Sequence, residues 1–179
     1  MLSLLFLACA AVSAPPDIVF ISVDTLRVDR LGCYGSAAGL TPNIDALAQR
    51  ALVFEDMICE QPQTGPSMIS MFTSLFPRMT GTIRNSIPLD ASVRTAPELL
   101  REAGYETMAV VSNWNLKRAL SGLEEGFAHY DDTFEQGRWG GERVERYAEE
   151  VTDAALGLLA QRDAREPLFL WGHYMDPHD

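Results

Sequence analysis

Asp17-Ile-Val-Phe-Ile-Ser-Val-Asp24 is the stretch on which the reading of this chain turns. Between two aspartates stands a short apolar run rich in β-branched residues, the composition of a buried strand. Two similar runs follow, Thr107-Met-Ala-Val-Val111 and Leu168-Phe-Leu-Trp171. Helical patterns separate them. Thr41-Pro42 opens a first helix, with Thr as N-cap, Pro at the first helical position and Ile44, Leu47, Ala48, Ala51 and Leu52 on one face. A second helix is predicted from Pro66 to Leu75, with Ile69, Phe72 and Leu75 inward. Thr95-Ala-Pro-Glu98 has the form of a capping box, and Gly104 follows as a stop. Val144, Tyr147, Ala148, Val151, Ala155, Leu158 and Leu159 make the stripe of a long amphipathic helix, after a polar loop over Asp131–Glu142. Strands alternating with helices predict an α/β fold with a central, mainly parallel sheet flanked by helices. Sites in such sheets lie at the carboxyl ends of the strands. Val23-Asp24-Thr25, Ser112-Asn113 and the segment from His173 onward all fall there.

Composition narrows the classes. Of 179 residues, 47% are hydrophobic and 22% charged, which is globular and excludes global disorder. Lys and Arg number 14 against 25 Asp and Glu, a formal charge of −11, so no nucleic-acid partner is expected. With Cys9 in the leader, Cys33 and Cys59 leave room for one intrachain disulfide at most, and neither has the CxxC spacing of a zinc site. Residues 1–14, MLSLLFLACAAVSA, read as a signal peptide with an A-x-A-like Ala8-Cys9-Ala10, although they carry no Lys or Arg; a mis-set start or a buried N-terminal strand is the alternative. The run is too short for a stable membrane span, which takes about 20 residues. Export to the periplasm or outside is therefore expected, with Cys9 as a candidate lipid anchor. Residues 15–179 form the second unit. They end in the cluster His173-Tyr-Met-Asp-Pro-His-Asp179 with nothing after it to fold over a site, so the unit reads as part of something longer.

Three places carry candidate chemistry. Asp24 directly follows the first strand, where a carboxylate suits a hard divalent cation; a single Asp in such a place is more often a capping residue. Thr64-Gly-Pro-Ser67 precedes the second helix, so a hydroxyl there meets backbone N–H groups and the positive end of the helix dipole. Thr64 can act as a nucleophile if a base or metal activates it, or Thr64 or Ser67 can be a plain N-cap. His173, Asp176, His178 and Asp179 can ligate a metal or contact a substrate anion. Arg27 and Asp29 can pair with each other, and Met68, Met71 and Phe72 read as core packing.

These pieces together resemble the N-terminal part of sulfatases, members of the alkaline phosphatase superfamily. The resemblance rests on Asp17–Arg27, Leu31-Gly-Cys-Tyr-Gly35, Thr41-Pro-Asn-Ile-Asp-Ala-Leu47, Phe54-Glu55 and Pro62–Ser74. It continues with Glu98–Tyr105, Gly126-Phe127 and His173–His178. It implies an alkaline-phosphatase-like α/β sandwich, of which residues 15–179 are the N-terminal portion of the catalytic domain, truncated at the C-terminus. It also implies hydrolysis of sulfate esters with one divalent metal, often calcium. In the family a formylglycine, made from the Cys or Ser of a C/S-x-P-S/A-R motif, attacks sulfur as its hydrate while the metal polarises the sulfate oxygens.

The resemblance maps Asp24 onto the first metal ligand, and it maps Thr25 onto the neighbouring Asp of many members. Thr64 falls on the formylglycine precursor and Met68 on the motif's Arg. Thr lacks the primary Cβ that the oxidation needs, so no formylglycine is expected at Thr64; Ser67 and Cys59 are off position. Asn113-Trp114-Asn115 stands where the family has a Lys-x-His pair that holds the sulfate, which makes Asn113 and Asn115 candidate substrate-binding residues. His178 matches a histidine that contacts substrate or leaving group. Related branches use a metal-activated Thr on phosphoryl groups, with manganese or zinc, and that pattern implies a phospho-threonine intermediate. The expected substrate is a small-molecule or glycan sulfate or phosphate ester. The alternative is a catalytically inactive, sulfatase-like binding or structural protein, or an inactive fragment.

Overall fold

A computed structural model describes residues 15–134 and 145–178. The expected leader, Asp179, Val144 and most of the Asp131–Glu142 loop lie outside these described residues. The strands are β1 (Ile18–Val23), β2 (Glu106–Val110), β3 (His129–Asp131) and β4 (Leu168–Tyr174). The helices are α1 (Pro42–Ala48), α2 (Thr64–Thr73), α3 (Pro77–Thr80), α4 (Ala96–Glu102), α5 (Arg118–Ser121) and α6 (Ala148–Leu159). The described strands form one sheet in the order β1-β4-β2-β3, and every neighbouring pair is parallel. The last strand thus inserts between the first two, with Ser22 opposite His173 and Val110 opposite Gly172.

The two-residue period of a strand sorts its side chains onto two faces. On one face Ala109, Phe169 and Trp171 meet Ile69 and Phe72 of α2, with Ile18 and Phe20 packed alongside. Phe72 is the hub: its ring lies edge-on to Trp171 at 4.8 Å and to Phe20 at 5.6 Å. Trp171 is fully buried, and its indole N–H donates to the Ser22 hydroxyl at 2.9 Å, which removes the cost of burying that donor. On the other face Met108, Val110, Leu168 and Leu170 meet Val151 and Ala155 of α6. That helix packs on β4 and β2, and on β1 the side chains of Val19 and Ile21 are 58% and 60% exposed.

Several expected elements shift. The helix at Pro42 ends at Ala48, so Ala51 and Leu52 fall beyond it, and Ile44 and Leu47 are exposed rather than core. A polar clasp anchors α1 instead. Asp45 accepts the Cys33 N–H at 2.8 Å and the Thr41 hydroxyl at 3.1 Å, and Thr41 accepts the Gly32 N–H. Helix α2 begins at Thr64, two residues early, with Gln63 as N-cap; Leu75 lies past its end. Met68 is buried but Met71 is half exposed, because it lies on the outer side of α2. The capping box forms as read, with the Thr95 N–H donating to Glu98 at 2.7 Å. Tyr147 is the N-cap of α6 and is exposed, not part of its buried stripe. Cys33 and Cys59 are free thiols.

Gly126 has φ +87°, and a Cβ there would run into the backbone N and Cα of Glu98, whereas Gly104 has φ +88° and open space around it. Gly104→Ala is therefore expected to cost about 1 kcal/mol, the left-handed penalty alone. Gly126→Ala is expected to cost about 1–3 kcal/mol more, from added overpacking. The difference between the two urea midpoints of unfolding measures it.

Candidate active site

The carboxyl end of the sheet brings together side chains far apart in sequence. Asp24 leaves β1 with its N–H still bonded to the Tyr174 carbonyl at 2.8 Å, so the ladder fixes where its carboxylate starts. Thr64 is the first residue of α2, and the packing of Phe72 sets that helix against the sheet. Its hydroxyl donates to Asp24 Oδ2 at 2.8 Å. Asn113 lies just past β2, buried, and its Nδ2 donates to Asp24 Oδ2 at 3.0 Å and to Thr64 Oγ1 at 3.2 Å. Asn115 holds that amide: its backbone N–H and its Nδ2 donate to Asn113 Oδ1 at 2.8 and 3.1 Å. An acceptor pinned by a backbone N–H fixes which way the Asn113 amide faces.

His173 lies beneath this trio, fully buried on β4. Its Nδ1 is 3.1 Å from the Ser112 hydroxyl, and its Nε2 is 3.7 Å from Asp24 Oδ2 with no hydrogen-bond partner. Burial drives its pKa down to about 4 against the opposing pull of the Asp24 carboxylate, so the ring is neutral near pH 7. Among the described residues no group of three or more His, Cys, Asp or Glu side chains is arranged to hold a metal ion. What the site offers is one carboxylate, one buried imidazole nitrogen without a partner, and the Thr64 hydroxyl. These donors fit one side of a cation site.

The other candidates divide. Thr25 is exposed and has φ +54°, a conformation that β-branched residues adopt only under strain, worth about 1–3 kcal/mol. After Thr64 the N–H groups expected at the start of α2 are spent: Gly65 donates to Asn85 Oδ1 at 2.9 Å, Pro66 has none, and Ser67 donates to Gln63 O. Thr64 therefore sits at the positive end of the dipole without a ring of open amides. Asp176 accepts the Ala148 N–H at 3.0 Å and serves the start of α6. His178 stands on an exposed turn, its N–H closing on Met175 O, outside the hydrogen bonds that join Asp24, Thr64, Asn113 and Asn115. Arg27 and Asp29 pair with each other at 2.7 Å, as the sequence suggested. Sequence reasoning missed Ser112 as the partner of His173, and it missed Asn85, which reaches Gly65 across 20 positions with no local signal. A concavity of about 710 Å³ bordered by Gly32, Tyr34 and Asp45 includes none of the clustered residues.

Comparison with known proteins gives this arrangement its relatives. The chain is 31% identical over 175 residues to an N-acetylglucosamine-6-O-sulfatase of Bacteroides thetaiotaomicron, covering 91% of this chain and 31% of that protein. It superposes on a solved structure of a protein in complex with its substrate D-glucosamine-2-N,6-O-disulfate, with TM-score 0.75 and 26% identity over 92% of this chain and 35% of that one. It shares its fold with a phosphonate monoester hydrolase of Agrobacterium radiobacter, with TM-score 0.73 and 21% identity over 92% of this chain and 42% of that one. The chain thus spans about one third of the length of the first two relatives. The sulfatase family model matches residues 16–179. With that match, and with the helix-flanked parallel sheet that it shares with its structural relatives, the chain belongs to the sulfatase family, within the alkaline phosphatase-like superfamily.

Proposed function

We propose that this chain carries the nucleophile side of a metal-dependent ester hydrolase acting on a sulfated or phosphorylated small molecule or glycan, with Thr64 as the attacking group. The 2.8 Å hydrogen bond from the Thr64 hydroxyl to Asp24 Oδ2 carries the reading. Thr64 Oγ1 attacks sulfur or phosphorus, the bond from that atom to the leaving oxygen breaks, and the Thr64 proton, relayed by the Asp24 carboxylate, ends on the departing alcohol. Water then cleaves the threonine ester and regenerates the hydroxyl. Asn113 holds both reacting oxygens in register, and Asn115 positions Asn113. A divalent ion on Asp24 would supply Lewis-acid charge at the reacting group and lower the pKa of the Thr64 hydroxyl. Sulfate chemistry in this family favours calcium; phosphoryl chemistry favours manganese or zinc.

The substrate class follows from the relatives and from Thr64 in different ways. The N-acetylglucosamine-6-O-sulfatase at 31% identity supports a sulfated amino sugar. A threonine, which cannot be converted to formylglycine, supports a phosphoryl ester, the group on which a plain alkoxide suffices. Asn113 and Asn115 remain candidate contacts to the substrate's oxygens, and His178 is proposed to approach the leaving group. The reading of residues 1–14 as a signal peptide supports export, and among the described residues no helix is long and apolar enough to cross a membrane. A second reading, a sulfatase-like protein that binds without turnover, draws on one observation: the Asn113 amide is already engaged with Thr64, Asp24 and Asn115.

Assays with p-nitrophenyl sulfate, p-nitrophenyl phosphate and bis-p-nitrophenyl phosphate test the reading. Thr64→Ala is expected to lower turnover by about a thousandfold or more, the scale for losing a nucleophile, and Thr64→Ser to retain part of it. Mass spectrometry of quenched wild-type protein is expected to find the ester group on the peptide containing Thr64. Turnover undiminished in Thr64→Ala would discard the nucleophile, and no turnover with any ester and any of calcium, manganese or zinc would favour the binding protein. Asn113→Ala is expected to lower kcat about a hundredfold with KM little changed, on the scale of a lost oxyanion donor. Asn115→Ala, which removes the side-chain hold on the Asn113 amide, is expected to lower kcat by about tenfold. Equal losses would assign Asn115 its own contact to substrate.

A further inference from the structure

Nε2 of His173 has no place in that reaction, yet it is the one titratable atom in the cluster that is buried and left without a partner. A buried polar nitrogen left unpaired is destabilising, so its place here calls for a ligand. The ring is not loosely held. Nδ1 is fixed by the Ser112 hydroxyl at 3.1 Å, Trp171 lies edge-on at 6.1 Å, and strand pairing sets His173 opposite Ser22. When Nδ1–H donates to Ser112, Nε2 carries its lone pair toward the Asp24 carboxylate, and two electron-rich atoms then face each other across 3.7 Å. A cation between them turns that repulsion into coordination.

Resting on the reading of Asp24 as a metal ligand, we propose that His173 Nε2 is a second ligand to the same ion. The centre is then a mixed imidazole–carboxylate site that takes zinc or manganese in preference to calcium. Atoms that share a zinc ion at about 2.1 Å each lie no more than about 4.2 Å apart, so a 3.7 Å separation is within reach of one ion. The donor set also decides the metal. Calcium is held by oxygens, whereas a neutral imidazole suits zinc and other first-row ions. Position 25, where a second carboxylate would give calcium another oxygen, holds Thr25. The Ser112–His173 contact is the outer partner that orients a ligating histidine in metal sites.

Zinc, manganese and calcium titrated into metal-free purified protein, followed by calorimetry, read the preference directly. X-ray absorption at the zinc edge of the loaded wild type reads the imidazole without any substitution. The expected results are zinc and manganese binding tighter than calcium, and imidazole back-scattering in the spectrum. His173→Gln is expected to weaken zinc binding about 10–100-fold and to remove the imidazole signature, while His129→Ala, at the opposite end of the sheet, does neither. Ser112→Ala, which spares the ligand atom, is expected to weaken zinc binding by a smaller factor. The assignment is overturned if calcium binds tighter than zinc, if wild-type zinc shows no imidazole, or if His173→Gln binds zinc as well as wild type. Loss of binding in Asp24→Asn but not in His173→Gln would keep the carboxylate site and discard His173. Zinc held through His173 in a protein that cleaves no ester would keep the ligand and discard the hydrolase.

Discussion

A ring contact at 4.8 Å, Phe72 of α2 edge-on to Trp171 of β4, determines where the chemistry sits. Helix α2 has no side-chain N-cap to hold its first turn, so the aromatic packing seats it against the sheet. Trp171 can take that load because its strand lies between β1 and β2, buried on both faces, with its indole N–H satisfied by Ser22. Once Phe72 is seated, the first residue of α2 arrives at the end of β1, and Thr64 reaches Asp24 across 40 positions of chain. Truncating a buried aromatic of this kind costs about 3–5 kcal/mol. Here the same loss would release α2 and with it the Thr64–Asp24 hydrogen bond.

Much of this was legible in the sequence. The apolar runs at Ile18–Val23 and Leu168–Trp171 announce buried strands, and parallel strands put their following residues on one edge, so Asp24, Ser112-Asn113 and His173 could be grouped before any geometry was known. The capping box at Thr95–Glu98 was equally plain, since it depends only on neighbours. What stayed hidden depends on partners that sequence spacing does not encode. The stripe Ile44–Leu47–Ala48 has the period of a buried face, but α1 is held by Asp45 and Thr41 through polar bonds, and its apolar side is left outward. The N–H of Gly65 looked open for an anion until Asn85 was found bonded to it.

The loss of those amides changes how charge is managed at the site. A helix start with free N–H groups is a ready anion cradle, and here Gly65, Pro66 and Ser67 have none to offer. The polar groups that do converge are Asp24, Asn113, Thr64 and His173, a set with a carboxylate at its centre and, among the described residues, no Lys or Arg as a hydrogen-bond partner. Such a set repels a sulfate or phosphate unless positive charge is added, and in the proposed hydrolase a divalent ion on Asp24 would be its source.

Thr25 shows a mismatch between a backbone and the residue it bears. Its φ of +54° is awkward for a β-branched side chain, and Asp and Asn are the non-glycine residues that settle there most readily. Aspartate is also the residue that the resemblance to other sulfatases puts at this position. The turn after β1 thus keeps a shape suited to a carboxylate while carrying a threonine. A change from Thr25 to Asp would relax the turn and, where Asp24 holds a cation, add a second carboxylate beside it. On the reading of Asp24 and His173 as ligands, an oxygen-rich and a nitrogen-containing centre are a single substitution apart on this scaffold.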